Sequence, residues 1–305
     1  MSHYLKRSLL QIIPSLLILS TIVFTLVFIA GDPVSLMLPE TATPEDRRIL
    51  AASLGLDQPF YMQYFQYITS MLQGDFGTSY VYNQPAIELV LDRLGATLIL
   101  ALSSMLVAIL ISVPLGIIAA LKRNTIIDFL VSTISIIGKA MPNFWIGIML
   151  ILFLAVTFRI FPVSGSGSVA HIVLPAFTLG VALAAEMTRL IRASILEVIE
   201  YDYVQTARSK GQIEWIVISR HVFLNALIPV VTIIGLQFPQ LIGGTIVVET
   251  VFSWPGIGRL LLGAMDARDM AVVQAIVFVI AIITIFTNLI TDLIYRLLDP
   301  RIKYD

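Results

Sequence analysis

Glu200-Tyr-Asp-Tyr-Val-Gln-Thr-Ala-Arg-Ser-Lys-Gly211, followed by a run that reaches Asn225-Ala-Leu-Ile-Pro229, is the most polar long stretch in the last two thirds of this chain. It is written as a short helix. Asp202 stands as an N-cap, with Gln205 three residues on as its capping-box partner. Arg208 and Lys210 fall in the last turn, where cations suit the negative end of a helix. Gly211 then supplies the left-handed residue that stops it. The spacing predicts a helix of roughly two turns at 202–211, set in a loop between two long apolar runs. Reversing the chain needs no such helix. Two readings fit it: a plug for a soluble partner, or an interfacial helix lying on lipid headgroups.

The loop stands out because the rest is apolar. Of 305 residues, 58% are hydrophobic and 13% charged, so the class is a polytopic, all-α membrane protein. A net charge of -1 and the lack of any basic, aromatic-rich patch give nucleic acid no surface to bind. With no cysteine there is no disulfide, thiolate metal site or cysteine nucleophile. His3, His171 and His221 lie far apart, without partners at metal-ligand spacing, and read as ordinary surface or interface histidines.

Lys6 and Arg7 precede the apolar run Leu9 to Ala30. That run is longer than the core of a signal peptide, about 7–15 residues, and is read as an uncleaved first span. Residues 31–95 form the one sizeable extramembrane segment. Thr43-Pro44-Glu45-Asp46 starts a helix there and Gly55 ends it. Pro59 to Leu72 is a second, aromatic-rich helix. Gly74-Asp75-Phe76-Gly77 turns the chain, and Pro85 to Arg93 makes a third short helix. Spans two to six are placed at about 96–121, 127–157, 173–197, 222–247 and 271–298. The organisation expected is therefore 1–30, 31–95 and a five-helix core at 96–305.

Basic residues set the orientation. Lys6, Arg7, Lys122, Arg123, Arg189, Arg192, Arg208, Lys210, Arg220, Arg296, Arg301 and Lys303 fall on one side. Arg47, Arg48, Arg93, Arg159, Arg259 and Arg268 fall on the other, half of them in the long first loop. The positive-inside rule puts both termini and the 202–211 helix in the cytoplasm.

Within the spans, Lys139 and Glu186 are ionisable, and such groups usually face a cavity or each other. They read either as a pathway-lining pair or as a structural ion pair. Met141-Pro142-Asn143 is expected to break span three, and Gln237, Pro239, Gly243 and Gly244 to break span five. Close helix packing by small residues is the other reading. Phe252 and Trp254 suit an outer interface belt.

Tyr203 to Gly211, with Asn225 to Pro229, resembles the cytoplasmic loop signature of ABC importer permeases, most closely the dipeptide, oligopeptide and nickel permease family. Gln205-Thr206-Ala207 departs from that pattern, since many permeases have Glu-Ala-Ala there. Gly31-Asp32-Pro33, Leu54 to Pro59, Gly74 to Gly77, Phe252 to Arg259, Arg268-Asp269 and Asp299 to Ile302 resemble the same family, so the likeness covers the whole chain. It is the first permease of the pair, the kind with a long loop after span one, that is matched.

The resemblance implies a type I importer permease with six spans, both ends inside, in a bacterial cytoplasmic membrane. It implies that Glu200, Asp202, Tyr203, Gln205, Thr206, Ala207, Arg208, Lys210 and Gly211 contact an ATP-hydrolysing subunit. Met141, Pro142, Asn143, Gln237, Gly243 and Gly244 would line the path, joined on their charge alone, not on the resemblance, by Lys139 and Glu186, which are no hallmark of the family; Phe252, Trp254 and Arg259 would meet an extracytoplasmic binding protein. The partners implied are a second homologous permease, two ATPase subunits, that binding protein and lipid. The chain has no Gly-rich Lys-Ser/Thr phosphate loop, so ATP and Mg are expected on partner subunits and no cofactor or metal on this one.

Short peptides, dipeptide to oligopeptide or glutathione-like, are the expected cargo. A nickel chelate is the alternative, although the lining lacks a His, Cys or carboxylate cluster. A secondary transporter is a further alternative, disfavoured by few spans, sparse intramembrane charge and no internal repeat. An intramembrane enzyme is disfavoured by the lack of a His-Glu-x-x-His pair, of paired aspartates or of a Ser/His dyad.

Overall fold

The computed structural model describes residues 14, 16–25, 34, 38, 41–53, 55 and 57–298. Gly31-Asp32-Pro33, the basic Lys6 and Arg7, and Asp299-Pro300-Arg301 with Lys303 lie outside the described residues, as does half of the first predicted span. The described residues are mostly helical, with no strand and an isolated antiparallel bridge between Thr78 and Pro85. The chain divides into two compact units, Met1–Gly95 with Leu260–Ile285, and Ala96–Arg259 with Phe286–Asp305.

In the first unit, α1 (Leu16–Thr25) is a short apolar helix. Helix α2 (Pro44–Ser53) starts as its sequence predicts. The Asp46 amide donates to the Thr43 hydroxyl and the Thr43 amide to the Asp46 carboxylate, a reciprocal cap. Gly55, at φ 69°, closes it. Helix α3 (Phe60–Leu72) places Phe60, Tyr64 and Tyr67 on one face, and all three pack around Phe24 with ring centroids 5.2–5.4 Å apart. Buried Asp269 takes the Ser79 hydroxyl and caps α11 (Met270–Leu298).

Helix α4 (Ala86–Leu121) corrects one expectation. The short helix at 85–93 and the second span are a single helix of 36 residues. Gly95 alone costs a helix only about 1 kcal/mol, too little to stop one so apolar on its far side.

The second unit is built around α7 (Val169–Val198), whose Leu174, Leu179, Met187, Ile191 and Ile195 are fully or nearly fully buried. Helices α5 (Ile126–Ala140), α6 (Asn143–Leu150) and α9 (Leu224–Val251) pack on it. Helix α4 meets it at two glycines. A methyl at Gly116 would stand 2.7 Å from Ile191, and one at Gly180 2.7 Å from Val107. Small residues let the two backbones approach that closely.

Met141-Pro142 breaks span three as expected, because proline denies its predecessor the α region. The two halves, α5 and the α6-to-Thr157 segment, meet at 102°. In span five the expectation fails. Pro229 and Pro239 lie inside a continuous α9, with no interruption at 237–244. Each proline forfeits one N–H, and packing on α7 and α6 keeps the helix running. Among the described residues, four helices are by length and composition able to cross a membrane, or five with the bent pair.

Candidate functional site

Helix α8 (Asp202–Ser209) forms where the sequence places it, but its start differs. Tyr201, with ψ 145°, is the N-cap, and no side chain caps the helix. Asp202 is instead its first residue, so Asp202 and Gln205 form no capping box. The carboxylate still lies in the first turn, where the helix dipole favours it. Gly211, at φ 74°, ends the segment as predicted.

One face of α8 holds it and the other is free. Val204 and Ala207, three residues apart, are buried in the same apolar cluster as Val198, Val217 and Val222. Val217 and Val222 belong to a π-helical segment, Val217–Phe223, that leads directly into α9. Asp202, Tyr203, Gln205, Thr206, Ser209, Lys210 and Gly211 are exposed. The Arg208 guanidinium donates twice to Glu214, at 2.7 and 3.2 Å, and closes the loop across Gly211. That pairing lowers the Glu214 pKa and raises that of Arg208. Glu200 turns away from α8 and pairs with Arg123 at 3.4 Å. The Tyr201 phenol donates to Glu197, which pushes its pKa up; partial burial does the same to Tyr203. Beyond the loop, Ile213 and Trp215 are more than two thirds exposed. The result is a polar, partner-ready helix clamped by its apolar face to the starts and ends of long helices.

Within the apolar region, the structure joins Lys139 and Glu186 in an ion pair between α5 and α7. Lys139 lies thirteen residues into α5 from Ile126, and Glu186 twelve residues short of Val198 on α7. At 1.5 Å per residue both sit about 18–20 Å from those helix ends, so the two depths agree. The side chains are 50% and 31% exposed, and an intramembrane ion pair usually faces a cavity or another protein. Met141, Pro142 and Asn143 follow Lys139 directly at the 102° break. Gln237 is half-buried on α9, and nothing lies within 4 Å of a methyl placed at Gly243 or Gly244, so that face of α9 is open.

The turn after α9 corrects a further expectation. Phe252 and Trp254 do not stand in an exposed belt; they are 2% and 7% exposed. Trp254 donates its indole N–H to the Ala96 carbonyl at 2.9 Å, and Phe252 packs against Gly147. Neither offers a surface to a partner. Arg259 is exposed and donates to the Ser253 carbonyl. Trp254 is drawn inward because its indole finds a buried acceptor.

Two charged groups escaped the sequence reading. Asp128 and Arg192 form a two-point ion pair at 2.6 and 2.8 Å between α5 and α7. Glu249, two residues before the end of α9, is fully buried. An acid inside an apolar run, followed by Gly-x-Gly, was the available signal. Among the described residues no cluster of three or more His, Cys, Asp or Glu is arranged to hold a metal.

Comparison with known proteins adds the following. Residues 112–304 match the family model described as binding-protein-dependent transport system inner membrane component, and residues 1–101 match its N-terminal companion. The chain is 42% identical over 305 residues, all of both chains, to the glutathione transport system permease protein GsiC of Salmonella paratyphi A, and equally to that of Escherichia coli. It is 40% identical, again over the full length of both, to the oligopeptide transport system permease protein AppB of Bacillus subtilis. Among solved structures, an inward-facing MetNI methionine ABC transporter chain aligns with a TM-score of 0.59 at 20% identity, covering 69% of this chain and 96% of that one. At that identity the likeness concerns the fold.

Proposed function

The chain belongs to the family of binding-protein-dependent transport system inner membrane components, and from that membership we propose that it carries short peptides into the cell, dipeptides to oligopeptides or glutathione-like tripeptides. It is a multi-pass inner-membrane permease subunit of an ABC importer, which works with ATPase and substrate-binding partners. The finer reading has six spans with both ends in the cytoplasm, a second homologous permease completing the pore, and two ATPase subunits that hold the ATP and Mg. The chain itself is non-catalytic.

The observation that carries the mechanism is α8. Its polar face is free while Val204 and Ala207 bind it to the core. A docked ATPase that closes on ATP would move this helix, and the clamp would pass the motion to α7 and α9. A path beside Lys139, Glu186 and the Met141-Pro142-Asn143 break would then switch sides, as alternating access requires. Lys139 would attract the carboxylate of a passing peptide. Of the expected binding-protein contacts, Arg259 keeps a surface for the role.

The test is uptake by the importer reconstituted in lipid vesicles. Arg208→Glu or Gly211→Leu should leave ATP hydrolysis running while peptide uptake falls by roughly 1.4 kcal/mol of coupling or more, a factor of ten. Normal coupling in both variants would remove α8 as the lever. Peptide transport by this chain alone, driven by an ion gradient, would favour a secondary transporter instead.

A further inference from the structure

We infer that Glu249 is a positioning residue of the transport cycle, its buried carboxylate pinning the Phe252–Arg259 turn and the start of α10 (Ile257–Asp266) to Thr97 of α4. This rests on the importer reading above.

The geometry is specific. One carboxylate oxygen accepts the Thr97 hydroxyl at 2.7 Å, and the other accepts the Arg259 amide at 3.0 Å. The Thr97 oxygen in turn accepts the Ile257 amide at 2.9 Å. Ile257 and Arg259 are the first and third residues of α10. Their amides are among the four that a helix start leaves without partners, and they present its positive end. The carboxylate therefore does the work of an N-cap from a distant position in sequence. The Glu249 carbonyl also accepts the Trp254 amide at 2.8 Å, while the Trp254 indole reaches Ala96.

Two glycines exist to admit this group. A methyl at Gly256 would overlap the Glu249 carboxylate, and one at Gly258 would stand 2.6 Å from the Ile246 Cα. Glu249 and Trp254-Pro-Gly-Ile-Gly-Arg259 are thus one device, a carboxylate and its cradle. Among the described residues no Lys or Arg side chain pairs with Glu249; the Arg259 guanidinium turns to Ser253. A buried charge without a cation is costly unless hydrogen bonds replace its water, so the device holds only while all its donors stay in place.

Its location argues for more than local stability. Ala96, Thr97, Glu249 and Arg259 all belong to the second compact unit. The device ties Thr97 of α4 and the turn before α10 to one end of α9. The other end of α9 follows the π-helical segment on which α8 is seated. Displacement of α8 is thereby delivered, through one continuous helix, to Thr97 and the Phe252–Arg259 turn together.

The experiment uses the complete importer in lipid vesicles, with Glu249→Gln, Thr97→Val and the double variant. A glutamine keeps the shape but carries one acceptor oxygen where the carboxylate has two. Assembled complex and ATP hydrolysis without binding protein should match the parent. Peptide uptake, and the stimulation of ATP hydrolysis by loaded binding protein, should fall by roughly tenfold, the scale set by one unmet buried hydrogen bond. The double variant should be no worse than the worse single one, because both break one network. Parental uptake in Glu249→Gln, strictly additive losses, or losses that merely track the amount of assembled complex would overturn the proposal. So would failure of both single variants to assemble, which would make the role one of folding only. A parent complex that moves no peptide with ATP would instead strike the importer reading beneath it.

Discussion

At the scale of single residues, the decisive positions are those where nothing else fits. At Gly180, a larger side chain would meet Val107 and, at 2.9 Å, the Ser104 carbonyl, which is backbone and cannot step aside. Gly180→Val should cost about 1–3 kcal/mol, read as a lower unfolding temperature of the detergent-solubilised protein. The Asp128–Arg192 pair makes a different demand. Asp128 is 6% exposed, so Arg192→Met strands a carboxylate and should destabilise by about 3–5 kcal/mol. Adding Asp128→Asn should recover much of that loss in the same measurement, since it is the unpaired charge rather than the missing bond that costs most. Neither position was legible as critical beforehand. A glycine in an apolar run and an aspartate near a span's start become informative only once the facing helix is known.

At the scale of elements, α8 and α9 teach opposite lessons. The two-turn helix was readable because its stop signal is local: Gly211 adopts φ 74° whatever surrounds it. Its predicted cap was not realised, because Tyr201 follows α7 so closely that the turn itself positions the first amides. The Arg208–Glu214 clamp makes a testable contribution to this element. The folded-state pKa of Glu214 lies below its ordinary 4.5. The stabilisation is therefore complete above that value and is lost as pH falls through the folded pKa. With Glu214 more than half exposed, the effect is worth at most about 1 kcal/mol. Hydrogen exchange of residues 208–214 should be flat from pH 8 to 5.5, after correction for the intrinsic rate, and should quicken below about 4.5. Helix α9 shows the converse. Two prolines and a Gly243-Gly244 pair read as breaks, yet packing on neighbouring helices keeps the helix whole, as it does in apolar surroundings where a frayed backbone has no water to turn to.

At the scale of the whole molecule, the chain is an incomplete machine by its own physics. Lys139 and Glu186 form a half-open ion pair at matching depth on α5 and α7, a setting that suits a polar path or another protein better than lipid. If that path carries peptides, Lys139→Gln should lower uptake of peptides with a free carboxylate several-fold and spare carboxyl-amidated ones, compared in the same vesicles. Equal uptake of both kinds by variant and parent would leave the pair as a structural tie alone. The turn after α9 belongs at this scale too. Phe252 and Trp254 read as interface aromatics, and only the return of the chain past Ala96 and Gly147 shows that they face inward.

The sequence by itself determined the class, the break at Met141-Pro142 and the polar helix ending at Gly211, because hydropathy, proline geometry and glycine's left-handed freedom act within a few residues. Tertiary structure alone decided which charges meet, that Glu249 rather than an adjacent residue caps α10, and which aromatics are hidden. Those depend on contacts between residues 10 to 160 positions apart, most of them far beyond the reach of local pattern, and a buried carboxylate is tolerable only when the fold brings its donors to it.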